Sequence, residues 1–367
     1  MNNYKTQIVR PSITFDELEP KIRDIIKSGI YTNGNAVSTF TKQILKITQS
    51  KFCFPTTSAT TALWTCLKIL KITSGDEVLI SDFSYPATAN VVEDLGAKPV
   101  FVDVNLETFN MSPKDLLSKI SSKTKAVIFV DALGNPSGLH DIKKICKKHN
   151  IVLIEDAACA IGSSEKNKMC GSISDLTCFS FHPRKIICAG EGGAITTNNK
   201  NFASQLELKL THGLKKDENG DIDFIDYGYN FRMSEIQAAL ASIQLKKLDK
   251  IIEKRLDILN IYKKNLLPLG FKNQKISDFV KFNVQSATFI VTKNISAKTI
   301  IKSLREKNID CSIGTYALSS IDYYKKKYNN PLKNSKFLMD NSITLPCYEN
   351  LNVKKIISVI NNIYSSL

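Results

Sequence analysis

Between residues 50 and 200 the chain repeats one pattern five times: a short apolar run, then a segment with helical signals. "KFCFPTT" leads into "SATTALWTCLKILK", and "DEVLIS" (76–81) leads into "PATANVVEDLG". "KPVFVDV" (98–104) precedes "SPKDLLSKI", where Ser112 reads as N-cap, Pro113 as first helical residue and Asp115 as the partner in a capping box. "KAVIFV" (125–130) precedes "GLHDIKKICKKHN", and "IVLIED" (151–156) precedes "AACAIG". Short apolar strands alternating with helices specify a largely parallel sheet covered on both faces, an α/β fold. Ligands of such sheets sit outside the carboxyl ends of the strands. The residues to read are therefore Thr57 and Ser58, Ser81 to Tyr85, Asp131 and Asp156.

After residue 230 the pattern changes. Ile236, Leu240, Ile243, Leu248, Ile251, Leu256 and Leu259 recur at near-helical spacing, which predicts one long amphipathic helix from Ser234 to about Lys264. A strand over 286–292, a helix over 297–308 and a final helix in "NVKKIISVINNIYSS" follow. A chain of 367 residues exceeds the size at which one core stops growing. We expect a large domain over 1–245, including the N-terminal segment, and a smaller C-terminal α+β domain over 246–367, bridged by the long helix.

Composition removes several classes of function. No apolar run reaches membrane-spanning length, and the N-terminus lacks the apolar core of a signal peptide. The nine cysteines are scattered and odd in number, and none forms a C-x-x-C pair. They read as reduced thiols of a cytoplasmic protein, with neither a zinc site nor a disulfide framework. The net charge of +15 comes from lysines spread along the chain in pairs, with no arginine-rich or aromatic-interleaved tract. That argues against nucleic acid as the partner, and it suits capture of a phosphorylated small molecule.

The chemistry lies in four features. Asp156 ends a strand apolar enough to be buried, and a buried acid needs a cationic partner. Lys185 follows the strand-like run "LTCFSFH", where burial would turn a lysine into a nucleophilic amine. Ser180 precedes it by five residues, and "SATT" (58–61) opens the first helix of the sheet, where free N–H groups suit a phosphate. Taken singly, Lys185 reads as a surface lysine, Asp156 as a helix cap, "SATT" as an N-cap and Gly190–Gly193 as a tight turn. Taken together, a lysine for a Schiff base, an acid for a pyridinium nitrogen and a phosphate cradle are what pyridoxal 5′-phosphate requires.

The motifs "SGIYTNGN" (28–35), "TTSATTAL" (56–63), "GDEVLISDFSYPATAN" (75–90), "GAKPVFVDVNLETFNM" (96–111), "IEDAACAIGSS" (154–164), "CFSFHPRK" with "GEGGAITTN" (178–198), "DYGYNFRMSEIQAAL" (226–240) and "TLPCYENL" (344–351) span nearly the whole chain. With them the sequence resembles the DegT/DnrJ/EryC1/StrS family of nucleotide-sugar aminotransferases, which have the aspartate-aminotransferase (type I) fold and use pyridoxal phosphate. The resemblance implies that Lys185 is the Schiff-base lysine and proton carrier. It implies that Asp156 pairs with the pyridine nitrogen, and that Ser180, Thr60 and the Ala59 N–H hold the phosphate. Asn230 matches a phosphate contact supplied by the other subunit of a homodimer, and Tyr85 an aromatic ring over the cofactor. His182, Arg184 and Asn33 fall where the sugar pocket is expected. The implied reaction passes an amino group from glutamate, through the pyridoxamine phosphate form, to a nucleotide-diphosphate keto-deoxysugar, foremost a 4-keto-6-deoxyhexose, for amino-sugar biosynthesis.

Three positions depart from the family pattern. Ala59 stands where glycine is common. Cys159 stands where glutamine, glutamate or histidine often contacts the cofactor ring oxygen. "DALGNP" (131–136) replaces a more usual His-Leu-Tyr-Gly stretch. Related sugar dehydratases carry histidine where this chain has Lys185, so the lysine favours transamination. A related cofactor reaction on a keto-sugar or keto-inositol, and a non-catalytic regulator on the same scaffold, are the rival readings.

Overall fold

The computed structural model describes residues 4–291 and 295–365. Thr292 of the expected strand and Ser366 of the final helix lie outside the described residues. Seven strands form the central sheet: β1 (Phe52–Thr56), β2 (Glu77–Ser81), β3 (Lys98–Val102), β4 (Thr124–Val130), β5 (Val152–Asp156), β6 (Leu176–Ser180) and β7 (Gly193–Thr197). Their spatial order is β1-β7-β6-β5-β4-β2-β3. β7 runs antiparallel to both its neighbours, and every other adjacent pair is parallel. Pro55, which cannot donate to a ladder, falls on the edge strand β1, where proline is tolerated.

The strands are apolar throughout because both faces are covered. Val78 and Ile80 of β2 pack under α3 (Ala59–Ile69), α4 (Ala87–Asp94) and α7 (Lys200–Leu210), while Leu79 between them packs against α5 (Pro113–Lys119) and α6 (Leu139–Lys148). A third cluster joins Phe179 and Ala194 to α2 (Asn35–Thr48), α8 (Glu235–Leu245) and the first turns of α9 (Leu248–Leu266). The C-terminal core gathers Ile258, Leu259, Tyr262 and Leu266 of α9 with α10 (Ala297–Glu306), α13 (Val353–Ser365) and an antiparallel sheet of β8 (Lys272–Asn273), β9 (Ala287–Ile290) and β10 (Ser342–Leu345). Residues 6–8 are hydrogen-bonded to residues 308, 310 and 347, so the start of the chain is sewn to its C-terminal part.

Three local expectations are corrected. The helix expected over 234–264 is two helices, broken at Lys246–Lys247 without proline or glycine. Packing breaks it, because α8 serves the sheet-side core while α9 must reach on into the C-terminal core. The capping box at Ser112 is half made. Ser112 accepts from the Asp115 N–H, but the Asp115 carboxylate instead receives the Asp103 N–H and Lys119 Nζ. The segment after β5 forms successive turns rather than a helix, with Gly162 in the left-handed region at φ 82°.

Arg255 of α9 ties these parts together. Its guanidinium is buried and donates to the carbonyls of Val284, Gln285 and Cys347, leading from α9 to the segment before β9 and to the chain beyond β10. Replacing Arg255 with leucine strands three buried carbonyls. We expect a loss of roughly 3 kcal/mol or more, read as the shift of the urea unfolding midpoint.

Candidate active site

The site forms at one edge of the sheet because β7 is reversed. Gly193, the first residue of β7, pairs with Ser180 at the end of β6 and with Thr56 at the end of β1. That register brings the start of α3 against the end of β6. A Cβ on Gly193 would lie 2.4 Å from the Ser58 carbonyl carbon and 2.6 Å from Thr56 Oγ1, so only glycine lets the chains approach this closely. Ser58 caps α3, accepting from the Thr61 N–H at 3.1 Å while the Thr61 hydroxyl answers the Ser58 N–H. The N–H groups of Ala59 and Thr60 are left at the open end of the helix with no acceptor inside it. With the Ser180 hydroxyl on the facing strand, they make a compact anion cradle.

Asp156 ends β5 and is buried. Its carboxylate accepts from Thr88 Oγ1 at 3.0 Å and from the Ala158 N–H at 3.2 Å. Since the Thr88 proton goes to Asp156, Ser84 donates to Thr88 at 2.9 Å, forming a short relay. Burial raises the Asp156 carboxyl above its ordinary range, and the charge of Lys185 pulls it back. The group is thus poised to ionise fully against one more cation. Lys185 Nζ donates to Cys159 Sγ at 3.2 Å, so Cys159 touches the lysine directly.

The backbone of Lys185 is gripped from far along the chain. Gln285 Nε2 donates to the Arg184 carbonyl, and its Oε1 accepts from the Ile186 N–H, both at 2.8 Å. Asn283 orients Gln285 by accepting its N–H, and donates to the carbonyls of Cys159 and Ile161. Thr88, Asn283, Gln285 and Tyr316 were not foreseen from sequence. Only Thr88 carries a signal, its place in the strand-end motif "SYPATAN".

The remaining residues fall in two groups. Tyr85 is 67% exposed and its ring meets that of Tyr316, centroids 6.2 Å apart, across a two-residue ladder in which Tyr316 pairs with Ser84. His182 is half-buried, and burial holds its imidazole below the usual range, while Arg184 is exposed. Asn33 and Asn230 stand apart. Asn33 lies on an exposed turn at φ 56°, anchored by Glu235, which accepts the N–H groups of Gly34, Ala36 and Val37. Asn230 lies between Tyr229 and Phe231, whose rings stack at 5.3 Å and pack on Trp64. Alternation along this extended segment turns Asn230 the other way, into solvent. Among the described residues neither asparagine side chain makes a hydrogen bond.

Beside the site, Asp131 and Glu155 form a fully buried carboxylate pair with Cys170, their ligand atoms within 4.8 Å of one another. Neither Asp131 oxygen has a hydrogen-bond partner, nor has Glu155 Oε1. Burial, then the charge of Glu155, drives the Asp131 carboxyl well up, and burial raises Glu155 too. A proton on Asp131 turns two repelling acceptors into a donor and an acceptor.

A mostly parallel sheet, a lysine past β6, a buried aspartate ending β5 and a glycine-backed helix start fit the lysine, acid and phosphate demands of pyridoxal phosphate, and define the scaffold of a type I aminotransferase. The chain belongs to the DegT/DnrJ/EryC1/StrS aminotransferase family, whose pattern matches residues 13–364. It is 33% identical over 349 residues to the UDP-4-amino-4,6-dideoxy-N-acetyl-beta-L-altrosamine transaminase of Campylobacter jejuni subsp. jejuni serotype O:23/36, covering 93% of this chain and 92% of that one. Its fold matches Helicobacter pylori PseC, an aminotransferase of pseudoaminic acid biosynthesis, with TM-score 0.92, 26% identity and 100% of both chains covered. It also matches the pyridoxal phosphate form of the putative sugar aminotransferase Spr1654 from Streptococcus pneumoniae, with TM-score 0.87, 26% identity and 97% of both chains covered.

The buried pair sets a pH dependence. The folded chain keeps a proton that the unfolded chain has lost, so stability falls as pH rises above the ordinary carboxylate range of about 4. Asp131→Asn removes that linkage and supplies an amide donor to Glu155. The variant is expected to be more stable than the wild type near neutrality, by about 1–3 kcal/mol, with a flatter profile of urea midpoint against pH. A decline as steep as that of the wild type would contradict the shared proton.

Proposed function

We propose that the protein is a pyridoxal phosphate-dependent aminotransferase that converts a nucleotide-linked 4-keto-6-deoxyhexose to the 4-amino sugar, with glutamate as amino donor. The observation that carries this reading is that the charge of Lys185 acts on the buried Asp156 carboxyl, at the sheet edge where Ser180 and the start of α3 meet. The name of the Campylobacter relative, a 4-amino-4,6-dideoxy sugar, supports the position of amination.

When bound, pyridoxal phosphate supplies the carbon that takes up the donor's amino group and a ring that withdraws electrons during the proton shift. Ser180, Thr60 and the Ala59 N–H would hold the phosphate. Asp156, oriented by Thr88, would pair with the ring nitrogen. Tyr85 would cover the ring. Lys185, its position fixed by Gln285 on both flanking peptides, would take the proton from one carbon of the reacting group and return it to the other. Cys159, as a soft acceptor, holds the amine in register. His182 and Arg184 would contact the substrate, whereas Asn33 stands apart from them in its own chain. Residues 1–245 serve as the cofactor-holding unit and 246–367 as the smaller one. All nine cysteines are free, as a cytoplasmic location leaves them. Among the described residues no helix is long and apolar enough to cross a membrane.

The direct test is chemical. Borohydride reduction of the yellow protein is expected to fix the cofactor on the peptide containing Lys185. Lys185→Ala should lose at least about 10³-fold in turnover of glutamate and a nucleotide keto-sugar, with product identified by mass. Label on another lysine would refute the assignment.

The same reading includes a homodimer. Asn230 is exposed on its own chain, and Phe15, Tyr31, Phe224, Ile225 and Tyr227 are exposed large hydrophobic side chains, more than a lone monomer surface needs. A two-fold interface would complete each site with the partner's asparagine. Mixing inactive Lys185→Ala and Asn230→Ala subunits is therefore expected to restore activity, since one hybrid site keeps both residues. Full activity in a monomer by ultracentrifugation would contradict it.

A further inference from the structure

Helix α10 carries Lys298, Ile301, Lys302 and Arg305 at the i, i+3, i+4 and i+7 positions, which fall on one face. A lysine-bearing helix face is ordinarily no more than a solvated surface. Here it walls a cavity of about 790 Å³ whose other side includes Arg184 and Tyr316. Arg184 is the residue before Lys185, and Tyr316 meets Tyr85, so two of the residues lining the cavity are neighbours of site residues. Its charges are unbalanced: Arg184, Lys298, Lys302 and Arg305 against Glu306. Glu306 stands 4.0 Å from Lys302, and two Arg305 nitrogens donate to the Cys311 carbonyl. Lys298 and Arg184 have no acidic partner within ion-pair distance among the described residues. The volume suits a ligand of nucleotide size.

We propose that this cavity binds the diphosphate of the nucleotide-linked substrate, with Lys298 and Lys302 as its contacts on α10 and Arg184 between it and the reacting sugar. The inference rests on the function proposed above and adds the segment that holds the substrate's charge. It also gives the net charge of +15 a local use, since cations around one cavity both attract and retain a doubly charged group. A keto-sugar without the diphosphate would reach Lys185 but find nothing to anchor it on α10.

The experiment pairs kinetics with direct binding. The double variant Lys298→Ala/Lys302→Ala changes only exposed side chains, so its thermal midpoint should match the wild type. Its KM for the nucleotide keto-sugar is expected to rise about tenfold or more, with kcat and the KM for glutamate within about twofold. The rise of the wild-type KM with ionic strength should flatten. Calorimetry with UDP and with inorganic pyrophosphate should show a matching loss of affinity. An unchanged KM, a rise confined to the KM for glutamate, which would assign the cavity to the donor's carboxylates, or wild-type protein that binds neither UDP nor pyrophosphate would overturn the proposal. Failure of the wild type to aminate any nucleotide keto-sugar would sink the proposed function instead, and the binding measurements would still read the cavity.

Discussion

The placement of Lys185 depends on a side chain one hundred residues away. The lysine lies in the turn between β6 and β7, and a turn alone gives an amine little positional precision. Gln285 supplies it by bonding the peptide groups on both sides of the lysine, one through its NH₂ and one through its carbonyl oxygen. Gln285 is in turn oriented by Asn283 through its N–H, and its carbonyl is held by Arg255. The order of support runs from α9 through the segment before β9 to the reactive amine. The C-terminal part of the chain is therefore structural support for the chemistry of the N-terminal part. Relative motion of the two would be felt first at Lys185.

The electrostatics of the site follow from burial on the two sides of β5. Glu155 and Asp156 are neighbours in sequence, so alternation sends them to opposite faces. Asp156 meets Thr88 and the field of Lys185, and its charge has a use. Glu155 meets Asp131, Thr177 and Cys170, and its charge has a rival. Burial raises both carboxyls, but Asp156 has the charge of Lys185 to oppose that rise, whereas Glu155 shares its pocket with the Asp131 carboxyl. The departure "DALGNP" from the family pattern acquires a physical meaning. Where a histidine could donate to Glu155, Asp131 must bring its own proton.

Much of this was legible in the sequence, for identifiable reasons. Six of the seven strands could be read because strands covered on both faces must be continuously apolar, and their polar end residues mark the sheet edge where Asp156 and Ser180 stand. What could not be read depended on pairing across distance. The break at Lys246–Lys247 has no local cause, since the hydrophobic period runs through it, and only the separation of two cores demands it. Asp115 fits a capping box by spacing, yet the Asp103 N–H competes for its carboxylate and wins. Gln285 sits in "FNVQSAT", where nothing about a glutamine in a strand approach announces a contact with residues 184 and 186.

The reversed strand β7 explains why one glycine carries so much of the site. Had β7 run parallel, its first residue would lie at the opposite edge from Ser180, and a crossover would have to bury itself between β6 and β1. Antiparallel, it returns from Lys185 through a glycine-rich turn and begins again at the same edge. That return brings the turn holding Lys185 and the start of α3 to one edge of the sheet. It also forces the backbone of β7 against the Ser58 carbonyl, a contact that no residue with a Cβ can make. The succession of arginine, lysine and closely spaced glycines in "HPRKIICAGEGG" is thus one device. The lysine needs a rigid turn, the turn needs a strand to return on, and the returning strand needs glycine where it meets the helix that holds the anion.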